Sequence, residues 1–193
     1  MIDLVLYRKE DKNYLYGFNP VISHLLSLTS GIDSEIIQNV EVYQRHFLRY
    51  IPWYSKSKGG GAITLGSGKK QSITFTENFF AFNTHTDPDK FILMWLSLAS
   101  HEVIHINHAK KYNNLLVYLW AFAIQYMRHG HDGAPNEKEA DKGTSEFNRF
   151  NAYVNYKYGY NALSALLKSD LKDDEKKKQI DLWWQRYSSG LTD

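Results

Sequence analysis

Five residues, His101-Glu102-Val103-Ile104-His105, constrain this chain more than any other stretch. Residues four apart share one face of an α-helix, so on a helix two imidazoles would point at the same place. That spacing offers two neutral nitrogen ligands to a zinc ion. Glu102 can reach a metal-held water and act as general base without binding the metal itself. With 8 His and 9 Glu in 193 residues, a chance match is expected in about one or two of a hundred such chains. The surroundings also read as helix. Asp87-Pro88 is a start signal, Asp as N-cap and Pro at the first helical position. Phe91, Ile92, Trp95, Leu96, Ala99, Val103 and Ile106 recur at helical spacing. The motif is therefore expected on a buried helix, as a metal site requires.

A catalytic zinc site uses three protein ligands and keeps one position for water, whereas a structural site closes with four. The chain has no cysteine, which excludes a thiolate third ligand. His108 continues the histidine stripe, but it stands where the H-E-x-x-H-x-x-G-x-x-H pattern needs Gly, and Lys111 stands where that pattern needs His. His108 is read as a polar helix-face residue. The third ligand is sought in Asn136-Glu137-Lys138-Glu139-Ala140-Asp141. Glu137 and Asp141 are four apart. Glu137 is assigned as the carboxylate ligand, and Asp141 as acceptor for the free ring N–H of a ligating histidine. Glu139 is the competing ligand; the spacing Asn136-x-x-Glu139 gives it instead a capping-box role at a helix start.

The remaining sequence sets the frame. At 193 residues with 43% hydrophobic content, the chain is expected to form one α+β domain, residues 1–193, with a sizeable core. A net charge of +2 points neither to nucleic acid nor to acidic membranes. Charged residues from Asp3 to Glu10 do not fit a secretory signal, and the apolar run Leu115 to Met127 is too short to span a bilayer. The expectation is a soluble, cytoplasmic protein without membrane insertion, export by a non-classical route remaining open, and the oligomeric state is not read. Strands are expected at 2–7, 40–43, 62–65 and 72–76, the last two joined as a hairpin through Gly66 and Gly68. Helices are expected at 20–28, along the zinc motif, at 115–127 as buried core, at 136–154, at 162–167 and from Asp173 onwards. The basic, aromatic stretch Arg45 to Lys58 reads as a solvated loop with aromatic anchors, the alternative being a substrate surface.

His-Glu-Val-Ile-His followed at a distance by Glu-Lys-Glu-Ala-Asp resembles the gluzincin class of zinc metallopeptidases, whose second motif is E-x-x-x-D. The run Gly61 to Gly66 with Ile73-Thr74-Phe75 is similar to the hairpin before the active-site helix in small bacterial peptidase-like domains, including ones attached to toxins and injection systems. The resemblance covers about Gly31 to Phe150. It departs at Ser67-Gly68-Lys69-Lys70, a longer and more basic hairpin tip. It implies a zincin-like fold: a small N-terminal mixed sheet with a hairpin, an active-site helix and a helical C-terminal half. It also implies a peptidase in which Glu102 activates a water held by zinc on His101, His105 and Glu137. Gluzincins give oxyanion stabilisation to Tyr or His, and the candidates are His129, His131 and Tyr153, with a solvated loop or simple packing as the alternative.

On this reading the substrate is a protein or peptide. An extended one could add to the hairpin strand by main-chain hydrogen bonds. Three alternatives are carried alongside: a catalytically silent zincin-fold binding module, a toxin or effector protease with one narrow target, and a structural zinc protein.

Overall fold

The computed structural model describes residues 2–9, 15–44, 61–67, 70–76, 79, 87–112, 114–130 and 132–190. The stretch from Arg45 to Lys58, the hairpin residues Gly68 and Lys69, and His131 lie outside them. The architecture is α+β, a five-stranded mixed sheet followed by a mostly helical remainder.

The strands are β1 (Leu6–Arg8), β2 (Leu15–Phe18), β3 (Glu41–Gln44), β4 (Ala62–Ser67) and β5 (Lys70–Phe75), in the order β1-β2-β3-β5-β4. All pairs are antiparallel except β3 with β5. The expected single strand at 2–7 is instead a 3-10 turn at Ile2–Leu4 followed by the short β1. Strand β2, whose four residues are all buried, carries no alternation to betray it in the sequence.

Two helices separate β2 from β3. Helix α1 (Pro20–Ser30) starts where the Asn19 side chain accepts from the Ile22 N–H at 2.8 Å. It ends at Gly31, which takes the left-handed φ of 70° that such a stop needs. Helix α2 (Ser34–Asn39) was not expected; the Asp33 side chain caps it at the Glu35 N–H, 2.7 Å away.

Helix α3 (Pro88–Lys110) carries the His101–His105 motif and starts as expected, the Asp87 side chain accepting from the Lys90 N–H at 3.0 Å. Its apolar stripe packs onto the sheet: Trp95 stacks on Phe75 with ring centres 5.0 Å apart and meets Phe18 edge-on at 6.0 Å. Helix α5 (Pro135–Tyr158) lies along α3 in the most extensive helix–helix contact. Gly143 makes this approach possible. A Cβ there would fall 2.4 Å from the Ser100 carbonyl oxygen on α3. Helices α6 (Ala162–Lys168) and α7 (Asp173–Ser188) close the far side, with Phe150 of α5 against Trp184 and Tyr187.

Helix α4 (Leu115–His129) departs from expectation. Its mainly apolar sequence suggests buried core, yet only Tyr118 is buried. The physical reason is position. The helix touches β4, α3 and the start of α5 along one side, while Leu116, Val117, Trp120 and Met127 on the other are exposed. Among those residues, no helix is long and apolar enough to cross a membrane.

Candidate metal centre

The close packing of α5 on α3 brings Glu137, in the first turn of α5, over the two histidines in the middle of α3. His101 Nε2 and His105 Nε2 are 3.2 Å apart. Glu137 Oε2 is 3.2 Å from the first, and Oε1 is 3.5 Å from the second. Three ligands at ~2.0–2.1 Å on a tetrahedral ion would sit about 3.3–3.4 Å from one another. Each imidazole meets a different oxygen of the Glu137 carboxylate at about that separation, and the three side chains, with one ligand atom from each lying within 4.8 Å of the others, could hold a metal ion. All three are largely withdrawn from solvent; Glu137 is 4% exposed and His105 also 4%.

The histidines are held by their other nitrogens. Asp141, one turn beyond Glu137, puts Oδ1 3.2 Å from His101 Nδ1. A proton on Nδ1 leaves Nε2 with its lone pair facing Glu137, the tautomer a metal needs. His105 is oriented differently, through His108: the two Nδ1 atoms are 3.1 Å apart, and His108 Nε2 is 2.9 Å from Glu139 Oε2. One proton assignment satisfies both contacts. His108 Nε2–H donates to Glu139, and His105 Nδ1–H donates to the bare His108 Nδ1, leaving His105 Nε2 without a proton.

One expectation is sharpened and one corrected. His108, read as a polar helix-face residue, lies outside the His101–His105–Glu137 group but is 1% exposed. Glu139 does not cap its helix. Pro135 occupies the first turn, the cap residue Ala134 makes no side-chain hydrogen bond, and Glu139 accepts from His108. That hydrogen bond, with Lys111 and Lys142 nearby, holds the Glu139 carboxyl below its usual range. The sequence-level competition between Glu137 and Glu139 has a spatial answer: Glu137 faces the histidine pair, Glu139 the outer end of the His105–His108 chain.

Glu102 is buried on the sheet side of α3. The Thr64 hydroxyl on β4 lies 2.7 Å from its Oε2 and 2.9 Å from its carbonyl oxygen. Thr64 pairs with Ile73 across the hairpin, which sets it on the helix-facing side of the sheet.

Helix α4 lays an aromatic row across the cluster. Tyr118, Phe122 and Tyr126 are four apart, and neighbouring rings are 6.0 and 4.7 Å from centre to centre. Phe122 meets the His105 ring edge-on at 6.0 Å. The Tyr126 hydroxyl donates to Glu137 Oε1 at 3.0 Å, and the Tyr118 hydroxyl to the Thr64 carbonyl oxygen at 3.3 Å. Burial pushes both phenols up; the Glu137 carboxylate adds most to this at Tyr126 and the Glu102 carboxylate at Tyr118. Both therefore remain protonated donors at neutral pH. Burial works against a charge on His101, but the Glu137 hydrogen bond and the carboxylates of Glu102, Glu137 and Asp141 outweigh it, so this imidazole titrates above its usual 6.5.

The predicted oxyanion donors fare less well. Tyr153 lies sixteen residues beyond Glu137 on the same helix, about 24 Å along its axis. It packs against Tyr187 and Tyr158 at the opposite end. His129 is exposed at the last turn of α4 and takes no part in the cluster's hydrogen bonds. Tyr126 and Tyr118 are the tyrosines at the cluster. Their four-residue spacing with Phe122 was visible in the sequence, inside a run that looked uniformly apolar. Comparison of the chain with family models, curated proteins and solved structures finds no match.

Proposed function

We propose that the chain is a zinc-dependent peptidase of zincin type. The observation that carries this reading is the convergence of His101, His105 and Glu137, whose ligand atoms lie within 4.8 Å of one another, with a buried, hydrogen-bonded Glu102 next to His101 in the chain. The donor set, two imidazoles and a carboxylate without thiolate, is that of a catalytic rather than a structural zinc site. Zinc held there would polarise the scissile carbonyl and lower the pKa of a water on it from ~15.7 towards ~7.

The residues then divide the work. Asp141 and His108 keep each imidazole in the tautomer that presents Nε2. Glu102 accepts the proton as water attacks and hands it to the leaving amine. Thr64 holds Glu102 Oε2 in place for both transfers. Tyr126, protonated and beside Glu137, is the tyrosine that would serve the oxyanion, by turning its one hydroxyl hydrogen from Glu137 Oε1 to the substrate. It supersedes Tyr153 and His129 in that role.

Strand β4 is the sheet edge next to the site, as substrate addition by main-chain hydrogen bonding requires. Its Thr64 carbonyl, however, is engaged by Tyr118. This favours a second reading: a zinc-holding module whose cleft is closed by α4 and which binds without cleaving.

The deciding experiment measures zinc by elemental analysis and follows cleavage of a denatured protein with and without chelator. A peptidase would hold one zinc per chain and cut only when it is present. Glu102→Gln would keep the zinc and lose about 10²–10⁴-fold in rate. Bound zinc with no cleavage by the native chain would favour the closed module. Cleavage that survives either chelation or Glu102→Gln would sink the peptidase mechanism.

A further inference from the structure

Helix α4 has a second face. Leu116, Trp120, Ala123 and Met127, spaced four, three and four apart, form one stripe turned away from the Tyr118–Phe122–Tyr126 row. Leu116 is 74% exposed, Trp120 67% and Met127 74%, with Val117 exposed beside them. Single exposed apolar residues are ordinary, but a contiguous row of large ones on one helix marks an interaction surface.

The charges around the row indicate what it meets. From Val103 to His131 the sequence contains no Asp or Glu, while Lys110 and Lys111 precede α4 and Arg128 lies in its last turn. The nearest acids are spoken for or set apart. Glu102 and Glu137 are buried beneath the helix, Asp141 faces His101, Glu139 is paired with His108 and has Lys111 near it, and Asp132 lies beyond the C-terminal end. A second copy of this chain is a poor occupant. Antiparallel pairing of two α4 helices would set Arg128 against Lys110 and Lys111, and parallel pairing would set each cation against itself. A basic-rimmed apolar ridge with a central Trp suits a surface that is anionic outside and apolar within.

We propose that the outer face of α4 docks the protein on anionic lipid bilayers. Leu116, Trp120 and Met127 enter the headgroup–acyl boundary, and Lys110, Lys111 and Arg128 meet the lipid charge. Fifteen residues of helix span about 22 Å, short of the ~30 Å hydrocarbon core, so α4 lies in the interface and does not cross it. This docking requires neither a metal nor turnover and stands independently of the peptidase reading.

The test is co-sedimentation of the full chain with unilamellar vesicles of phosphatidylcholine alone or with a quarter phosphatidylserine. Sedimentation with the anionic vesicles, weakened by salt, is expected. The double variant Leu116→Glu/Trp120→Glu should bind about a hundredfold more weakly. Lys110→Gln/Lys111→Gln/Arg128→Gln should lose about tenfold or more on anionic vesicles while leaving the apolar row intact. Unchanged circular dichroism is required of both variants; should the first misfold, the second decides alone. The proposal is overturned by any of three results: no binding of the native chain to anionic vesicles at low salt, binding that neither variant weakens, or an oligomer in solution that Trp120→Glu dissociates while vesicle binding is absent.

Discussion

Helices α4 and α5 flank the same cluster, and their compositions suggest opposite fates. Helix α4 is almost entirely apolar over Leu115 to Met127, while α5 is rich in charge and amide. Yet α5 buries Glu137, Ala140, Gly143, Phe147, Phe150 and Val154 in one continuous stripe, and α4 buries Tyr118 alone. The difference lies in arrangement. The α5 apolar residues fall three and four apart on one side, so the elements packed along that side, α3 foremost and α1, α6 and α7 with it, can cover them all. Those of α4 go round the helix, and the fold supplies a neighbour for one side only. Hydrophobic content sets how much surface a helix would gain by hiding; the period of the pattern sets whether neighbours on one side can hide it.

The sharpest way to break this comparison is to truncate one large aromatic on each helix. Phe150→Ala on α5 should destabilise the protein by about 3–5 kcal/mol, the ordinary loss for a fully buried ring. Trp120→Ala on α4, though it removes a larger group, should stay within about 0.5 kcal/mol in the free protein. Chemical denaturation of the two variants measures both. Equal losses would mean that the outer face of α4 is covered after all.

Next in size is the contact that sets Glu137 above the histidines. Gly143→Val would drive a side chain into the Ser100 carbonyl and Ile104. A loss of about 1–3 kcal/mol is expected, together with weakened zinc binding as α5 is levered off α3. A matching change at Gly159, with open space around it, would be felt only through its positive φ of 105° and should leave zinc binding alone. Titration with a zinc indicator separates the two.

Smaller again is the support of His105. His108→Ala should lower zinc affinity by about 10–100-fold, the usual range for a group that orients a ligand, with Glu139→Gln falling short of that. The pH response follows from His101. Its pKa is raised, so zinc must displace a proton, and zinc affinity should begin to fall above pH 6.5 as the solution is acidified. For the metal-free protein the sign reverses. The His101 contribution to stability is complete below the unfolded value and is lost as pH rises through the raised one. Thermal melts with and without zinc, from pH 5.5 to 8.5, would show the two trends diverging; parallel curves would contradict them.

What could be read beforehand follows the same division. Helix α3 was legible because cap, apolar period and histidine spacing agree over one continuous stretch. The pairing of Glu137 with Asp141 was legible because four-residue spacing is local. The partnership of His108 and Glu139 was not legible because it joins residues thirty-one apart, and each alone offers a plausible polar role on its helix. Tyr126 was overlooked for a related reason: nothing in its own helix distinguishes the ring that meets a carboxylate from its apolar neighbours. Strand β2 and helix α2 are too short to build a period at all.

Thr64 has one hydroxyl hydrogen and two oxygens of Glu102 within reach, the carboxylate and the peptide carbonyl. Such a rotor can serve an ionised side chain by donating to it. It can serve a neutral one by accepting from it while its own hydrogen swings to the main chain. Neither state of the acid is then left unsatisfied, and no heavy atom has to shift. Valine in its place would fill the same volume but take away this donor to the charged form, so a group this small can set how reversibly its neighbour takes up and releases a proton.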